Sequence, residues 1–394
     1  MQLQLKPQSL ARAVTPLPSA ASPRLASVDA LRGFNIFWIL GADGAIWALD
    51  DMLEHKGDVL SSIGEFLGYQ LNHAPWEGFR FYDFIFPLFI FITGVSIVLA
   101  LPRLVEREGL RGAHLRVLRR ALVLYGLGLI YYGGISHHWA DVRYAGVLQR
   151  IGICYLAASL MFLNFNLRGM VAAFVALLGG YWALMSFIPM PGMETVSFAP
   201  DANLANWIDA HYLPGRLWDD TRDPEGLLST LPAIGTCLLG VFAGVLLKSE
   251  RFSAQQKSLV LVGAGIVAVA AGHLWGLQFP VIKAIWTSSF VLVAGGYSLI
   301  LLGVCHQLID VWGLRAGATA FIWIGANAIM LYFLNGLFGF EPLALRFIGG
   351  DLSRLIDRLT ETPATGRFLA HVLGLTFAIL LARFFYRRKI FLRV

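Results

Sequence analysis

One histidine in this sequence stands where an imidazole can do acid–base work. His73 follows an amide, Asn72, and precedes Pro75 and Trp76. Pro75 and Gly78 keep the run Asn72-His73-Ala74-Pro75-Trp76-Glu77-Gly78 from continuing as a regular helix. Imidazole exchanges its proton near neutral pH, which suits a general base or a nucleophile. A base usually has a third group behind it that fixes its tautomer, and Asp43 is the carboxylate expected in that role. Other polar residues fall inside or at the edges of apolar runs: Asp83, Gln149, Arg150, Lys283 and Asn327. Asp83 opens its run, where an acidic group also favours the helix dipole. His137, His138 and His211 sit in polar connections and are expected at the surface.

What has to hold these residues is a membrane bundle. The 394 residues are 57% hydrophobic and 14% charged, with mean hydropathy +0.65. A soluble domain carries about 25% charged residues, so a water-facing surface is excluded. A bilayer core of about 30 Å takes ~20 apolar residues per helix. Spans are predicted near 33–50, 81–101, 119–135, 144–163, 169–188, 228–247, 258–275, 284–304, 319–340 and 367–386. The expected fold is an all-α integral membrane protein, a polytopic bundle of about ten transmembrane helices. Ionisable groups inside such spans cost several kcal/mol and mark function. Asp43 lies about 16 Å along the first span from Arg32, near or past the midplane.

The net charge of +6 is written in short loops and is not a nucleic-acid footprint. The densest basic cluster, Arg103 to Arg120, predicts a cytoplasmic loop, and both termini then fall inside, in an inner membrane. Residues 1–23 have no apolar core and are expected to be a disordered cytoplasmic tail ahead of one transmembrane domain, 24–394. The connections 51–80, 189–227 and 341–366 lie outside. The second and third carry amphipathic stretches, Leu204 to Tyr212 and Leu352 to Leu359, expected to rest in the outer interface. Cys154, Cys237 and Cys305 have neither metal nor disulfide spacing and read as packing residues. No internal repeat is evident.

Several strings become specific together. Arg24-Leu25-Ala26-Ser27-Val28-Asp29-Ala30-Leu31-Arg32-Gly33, Asn72 to Gly78 followed by Asp83-Phe84-Ile85-Phe86-Pro87, Gly146-Val147-Leu148-Gln149-Arg150-Ile151-Gly152, Asp223-Pro224-Glu225-Gly226 and Lys283-Ala284-Ile285-Trp286-Thr287-Ser288 occur in this order. Together they resemble the heparan-alpha-glucosaminide N-acetyltransferase family. The resemblance implies a membrane-embedded acetyltransferase that moves an acetyl group from cytoplasmic acetyl-CoA to an amino sugar, or a glycan containing one, on the far side. It puts the active-site histidine on His73. The lysosomal members place an asparagine where this chain has Asp43, and this chain is expected to be a bacterial-type member without their N-terminal luminal domain. Bacterial relatives are also labelled amino-sugar transporters, which supplies the rival reading.

Acetylation of an amine needs a base, an activated acyl donor and a group that stabilises the oxyanion. With His73 as base or nucleophile and Asp43 as its orienting partner, Asn72, Trp76, Asp83, Gln149, Arg150, Lys283 and Asn327 are the candidates for binding the acceptor or the oxyanion. Arg24, Ser27, Asp29 and Arg32 are the candidates for acyl-CoA, since arginine binds phosphate in a bidentate fashion and the first helix offers its N–H groups to an anion. An extended pantetheine arm reaches on the order of 15–20 Å, enough to bring the thioester to Asp43 and His73. Trp207 and Trp218 are expected as outer-interface anchors. The expected partners are acetyl-CoA, an amino sugar and the lipid bilayer, with room for a homodimer and no role for a metal or for nucleic acid.

Overall fold

The first predicted span is not one helix. In the computed structural model, which describes residues 25–54, 57–134 and 138–391, it is three pieces. These are α1, Ala26–Phe37, a π-helical turn over Trp38–Ala42, and α2, Asp43–Leu53. The break falls at Gly41, whose φ of 121° is open to glycine and to few other residues. The expected tail 1–23 and Arg24 lie outside the described residues. After α2 comes α3, Asp58–Leu71, a helix within the connection 51–80, and then the irregular stretch that carries His73.

α4 runs from Phe81 to Tyr131, 51 residues, with a non-helical break at Gly109. Straight, it would be about 75 Å long, more than two bilayer thicknesses. It is therefore two spans joined at the basic cluster. The remaining elements are α5 Val147–Asn164, α6 Leu167–Phe187, α7 Leu204–Tyr212, α8 Thr230–Lys248, α9 Ala254–Gly276 and α10 Ser288–Cys305, which continues into a π segment His306–Val311. They are followed by α11 Thr319–Ala326, α12 Ala328–Phe338, α13 Phe340–Ile348, α14 Asp351–Thr360 and α15 Thr365–Arg387.

The protein is an all-α polytopic membrane protein. Among the described residues seven helices are long and apolar enough to cross a bilayer, eight if the pair α11–α12, bent by 77°, is one span. Ten were expected. The difference has a physical source: the first predicted span is broken at Gly41, the second and third are one continuous element, and 319–340 is broken at Asn327. Breaks of this kind are tolerated at membrane depth where the freed backbone is buried in protein or lines a cavity.

Small residues let helices meet closely where lipid gives no hydrophobic drive between them. A Cβ at Gly33 of α1 would stand 1.7 Å from the Phe321 carbonyl oxygen, and one at Gly325 of α11 would stand 1.8 Å from the Asp29 oxygen. The two glycines let α1 and α11 touch backbone to backbone. α7 buries Ala205, Asn206 and Asp209 against the protein, so it packs on one face and leaves Tyr212 exposed. α14 buries no residue and keeps Leu352, Leu355 and Leu359 exposed.

Candidate functional site

The loop that carries His73 is fastened at both ends. Asn72 terminates α3, its side-chain amide donating to the Gly68 carbonyl at 2.8 Å. Further on, Gly78 N–H donates to the Val281 carbonyl at 2.9 Å, and Glu77 forms an antiparallel bridge with Ile282. The facing segment is itself a tight turn. Trp286 N–H returns to the Lys283 carbonyl at 2.9 Å, and Thr287 N–H to Ile282 at 3.1 Å. Trp286 takes a left-handed backbone, φ 51°, and is buried with its indole N–H on Thr236 Oγ1 at 3.1 Å. A bulky residue accepts this conformation only where its surroundings over-determine it. The turn presents Lys283 to His73, 210 residues away in sequence.

Asp83 is the group behind the histidine. Its Oδ1 lies 2.8 Å from His73 Nδ1, while Oδ2 accepts from the N–H groups of Ala74 and Arg80, each at 3.1 Å. One carboxylate thus caps α4, ties down the loop and holds the imidazole. Asp83 is an acceptor, so its partner Nδ1 carries the ring proton and Nε2 presents a lone pair. Lys283 Nζ lies 3.1 Å from Nε2, 2.8 Å from Nδ1 and 3.4 Å from Asp83 Oδ1. The expected His73–Asp43 contact is absent. Asp43 instead accepts from the Tyr82 hydroxyl at 2.5 Å and from Gly44 N–H at 2.7 Å. The Tyr82 ring stands between them, its centroid 4.9 Å from that of His73. The physical reason is local: Tyr82 and Asp83 are consecutive at the start of α4, so one turn delivers a phenol to Asp43 and a carboxylate to His73.

These groups open onto a cavity of about 430 Å³. At its polar end are His73, Asp83, Lys283, Trp76, Trp218 and Glu225, joined by Arg143 and Asp219. Arg143 is buried, pairs with Glu225 at 2.6 Å and Asp223 at 3.0 Å, and lies against the rings of Tyr132 and Trp218. Burial pushes the Glu225 carboxyl above the usual glutamate range, against the pull of Arg150, Arg143 and Lys283. Burial likewise pulls the Lys283 ammonium below the usual lysine range, opposed by Asp83 and Glu225. Further in, the walls become apolar, with Ile39, Phe89, Ile151 and Ile329, and a single amide, Asn35.

Several candidates stand off this cavity. Gln149 and Arg150 are buried behind its wall. Arg150 donates to the Gly226 carbonyl at 3.1 Å and to Ser229 Oγ at 2.5 Å, with its guanidinium 5.0 Å from the centroid of the Trp286 ring. It shores up the loop that carries Glu225. Asn327 is buried at the 77° bend and does not line the cavity. Trp76 does line it, with its indole N–H on the Phe198 carbonyl at 2.8 Å, while the Asn72 amide is spent on Gly68. Trp218, expected as an anchor, faces the cavity beside Arg143, and Trp207 stacks on His211 at 4.2 Å.

Among the acyl-CoA candidates, Ser27 is fully buried, and Arg32 holds Asp29 at 2.9 Å and Ser96 at 2.7 Å. The first N–H groups of α1 are not open to an anion as expected. Asp310 accepts from Ala26 and Ser27 there, at 3.1 and 3.4 Å. Arg143, Asp219, Tyr82 and Asn35 were missed as site residues. Glu225 had a signal, the string Asp223-Pro224-Glu225-Gly226. The buried Asn35 had none.

A histidine held by a buried carboxylate, with a lysine beside it and an apolar pocket behind, forms the candidate site of this polytopic helix bundle. The family model for heparan-alpha-glucosaminide N-acetyltransferase, catalytic, matches residues 24–275, and the chain belongs to this family. Human heparan-alpha-glucosaminide N-acetyltransferase is 26% identical over 438 aligned positions, covering 95% of this chain and 61% of the human protein. The mouse protein of the same name is 25% identical over 391 positions, 83% of this chain and 57% of its own length. The chain thus spans about three-fifths of the length of these relatives. Lys283 and Asn327 fall beyond the family-matched stretch.

Proposed function

We propose that the protein is a transmembrane N-acetyltransferase that passes an acetyl group from acetyl-CoA to the amine of a glucosamine-type sugar. The observation that carries this is the His73–Asp83 pair at the polar end of a cavity that becomes apolar inward. An acyl chain with its thioester can enter through the apolar part, and an amine can enter at the charged end. The names of the human and mouse relatives support the reaction and the acceptor class.

In this reading Nε2 of His73 takes a proton from the amine as its nitrogen attacks the thioester carbonyl. Asp83 keeps the ring in the Nδ1–H tautomer and stabilises the imidazolium, as a triad carboxylate does. Lys283, whose Nζ lies within 3.1 Å of both ring nitrogens, supplies positive charge to the developing oxyanion. The C–N bond forms, the C–S bond breaks, and the imidazolium returns its proton to the departing CoA sulfur. Glu225 and Asp219 meet the sugar's polar groups, and Trp76 and Trp218 offer it ring faces. The basic loop at Arg103 to Arg120 supports placing that end of the bundle in the cytoplasm, with the donor taken from there and the acceptor from the far side. Asn72, Gln149, Arg150 and Asn327 act in this scheme as supports of the loops and bends. Arg24, Asp29 and Arg32 remain proposed for the nucleotide end, while Ser27, buried with its N–H on Asp310, supports the start of α1.

Purified protein given acetyl-CoA and glucosamine should release CoA thiol and form N-acetylglucosamine, followed by thiol titration and mass spectrometry. His73→Ala should lower the rate by about 10²–10⁴-fold. Equal product from wild type and His73→Ala would remove the histidine from the chemistry. Glucosamine uptake into vesicles with no acetylated product would favour the transporter.

A further inference from the structure

The most unusual polar group in the cavity is Asn35. It belongs to α1, is fully buried, and lines the cavity wall, yet among the described residues neither its Oδ1 nor its Nδ2 has a hydrogen-bond partner. Buried amides are nearly always satisfied, and one left unpaired is costly. Its companions on this part of the wall, Ile39, Phe89, Ile151 and Ile329, offer nothing polar. Asn35 also has a defined place along the span. It is three residues past Arg32 and eight before Asp43, about 4.5 Å and 12 Å of helical rise. It therefore stands between the proposed nucleotide end and the His73 chemistry.

We propose that Asn35 reads an amide of the pantetheine arm of the acyl donor, which makes it a specificity-determining residue for a CoA thioester. This rests on the acetyltransferase reading. The carboxamide offers one acceptor and two donor hydrogens. A secondary amide presents the complementary C=O and N–H, so the pair satisfies both Asn35 atoms at once. The rest of the arm is methylenes, which match the aliphatic and aromatic neighbours. A sugar does not match them, because several of its hydroxyls would be stranded against an apolar wall. The contact is remote from the reacting carbonyl and is the same in ground and transition states, so it acts on donor binding and not on turnover.

Asn35→Leu keeps the branched shape and removes the hydrogen bonds, and Asn35→Ala serves should the bulkier leucine not fold. Each variant is compared with wild type using acetyl-CoA and S-ethyl thioacetate, a thioester with no amide, with acetyl-CoA affinity also read by titration calorimetry. The expected result is a KM and Kd for acetyl-CoA raised on the order of 10- to 100-fold. The kcat at saturating acetyl-CoA, and the kcat/KM for S-ethyl thioacetate, should be unchanged. Equal losses with both thioesters would mean a merely structural role and would overturn the proposal, as would unchanged acetyl-CoA affinity. Calorimetry needs no turnover, so wild type that binds acetyl-CoA but acetylates nothing would count against the acetyltransferase reading while Asn35 is still tested.

Discussion

At the scale of single residues, two aspartates compete for the role of partner to His73, and the hydrogen bonds separate them. Asp83 touches the ring at 2.8 Å, whereas Asp43 touches Tyr82. Changing either to asparagine keeps the size and removes the charge. Asp83→Asn lets the amide face Nδ1 in the wrong sense and disturbs the tautomer, so single-turnover CoA release should slow by about 10²–10⁴-fold. Asp43→Asn leaves an amide oxygen for the Tyr82 hydroxyl, and its loss should be at least about tenfold smaller. The reverse ranking, on protein shown to be folded, would restore Asp43 to the histidine.

At the scale of elements, α7 is held by a carboxylate in an unfavourable place. Asp209 is buried against Gly226, accepts from Leu227 N–H at 2.8 Å, and is raised to about 7 by burial, with Asp223 adding to the rise and Leu227 and Arg150 opposing it. A carboxyl raised in the folded state favours folding at low pH. That contribution is whole below the ordinary value of 3.8 and is lost as pH climbs through about 7. The thermal midpoint of wild type in detergent should therefore fall between pH 5 and pH 8 relative to Asp209→Asn, whose amide oxygen can still accept from Leu227. Parallel curves for the two proteins would show that Asp209 does not titrate in this window.

At the scale of the whole molecule, α4 dictates which features share an end. Tyr82 at its start and Tyr131 at its end both line the cavity, so its middle, at Gly109, must lie at the opposite end of the bundle. Leu110, half exposed beside that break, and Ala202, in the segment before α7, should thus label from opposite sides. A cysteine at Leu110 should react with an impermeant thiol reagent only from the cytoplasmic face, and one at Ala202 only from the other. Cys154 and Cys237 are buried and add little background. The reversed pattern would exchange the sides assigned to donor and acceptor.

Much of this was legible in the chain itself. Long apolar runs settle the membrane class, because a bilayer must be spanned by about 20 apolar residues whatever they pack against. The family strings belong to the same local level, and so does the irregular loop at His73, since Pro75 and Gly78 disrupt a helix wherever they fall. The spans with breaks were read less well. Gly41, Gly109 and Asn327 interrupt or rejoin helices according to how neighbours satisfy the freed backbone, and a hydropathy window does not register that. Partnership lay further out of reach. Asp43 and Asp83 are both acidic residues next to apolar runs, and only the fold decides that Tyr82 occupies the space between Asp43 and His73. Lys283 meets His73 across 210 residues because the 281–287 turn is bridged to the irregular stretch at 77–78. Arg143 finds Glu225 and Asp223 in the same way. Asn35 looks in sequence like one polar residue on a helix. Its meaning comes from burial without a partner among the described residues, a property of everything packed around it and of nothing in its own neighbourhood of the chain.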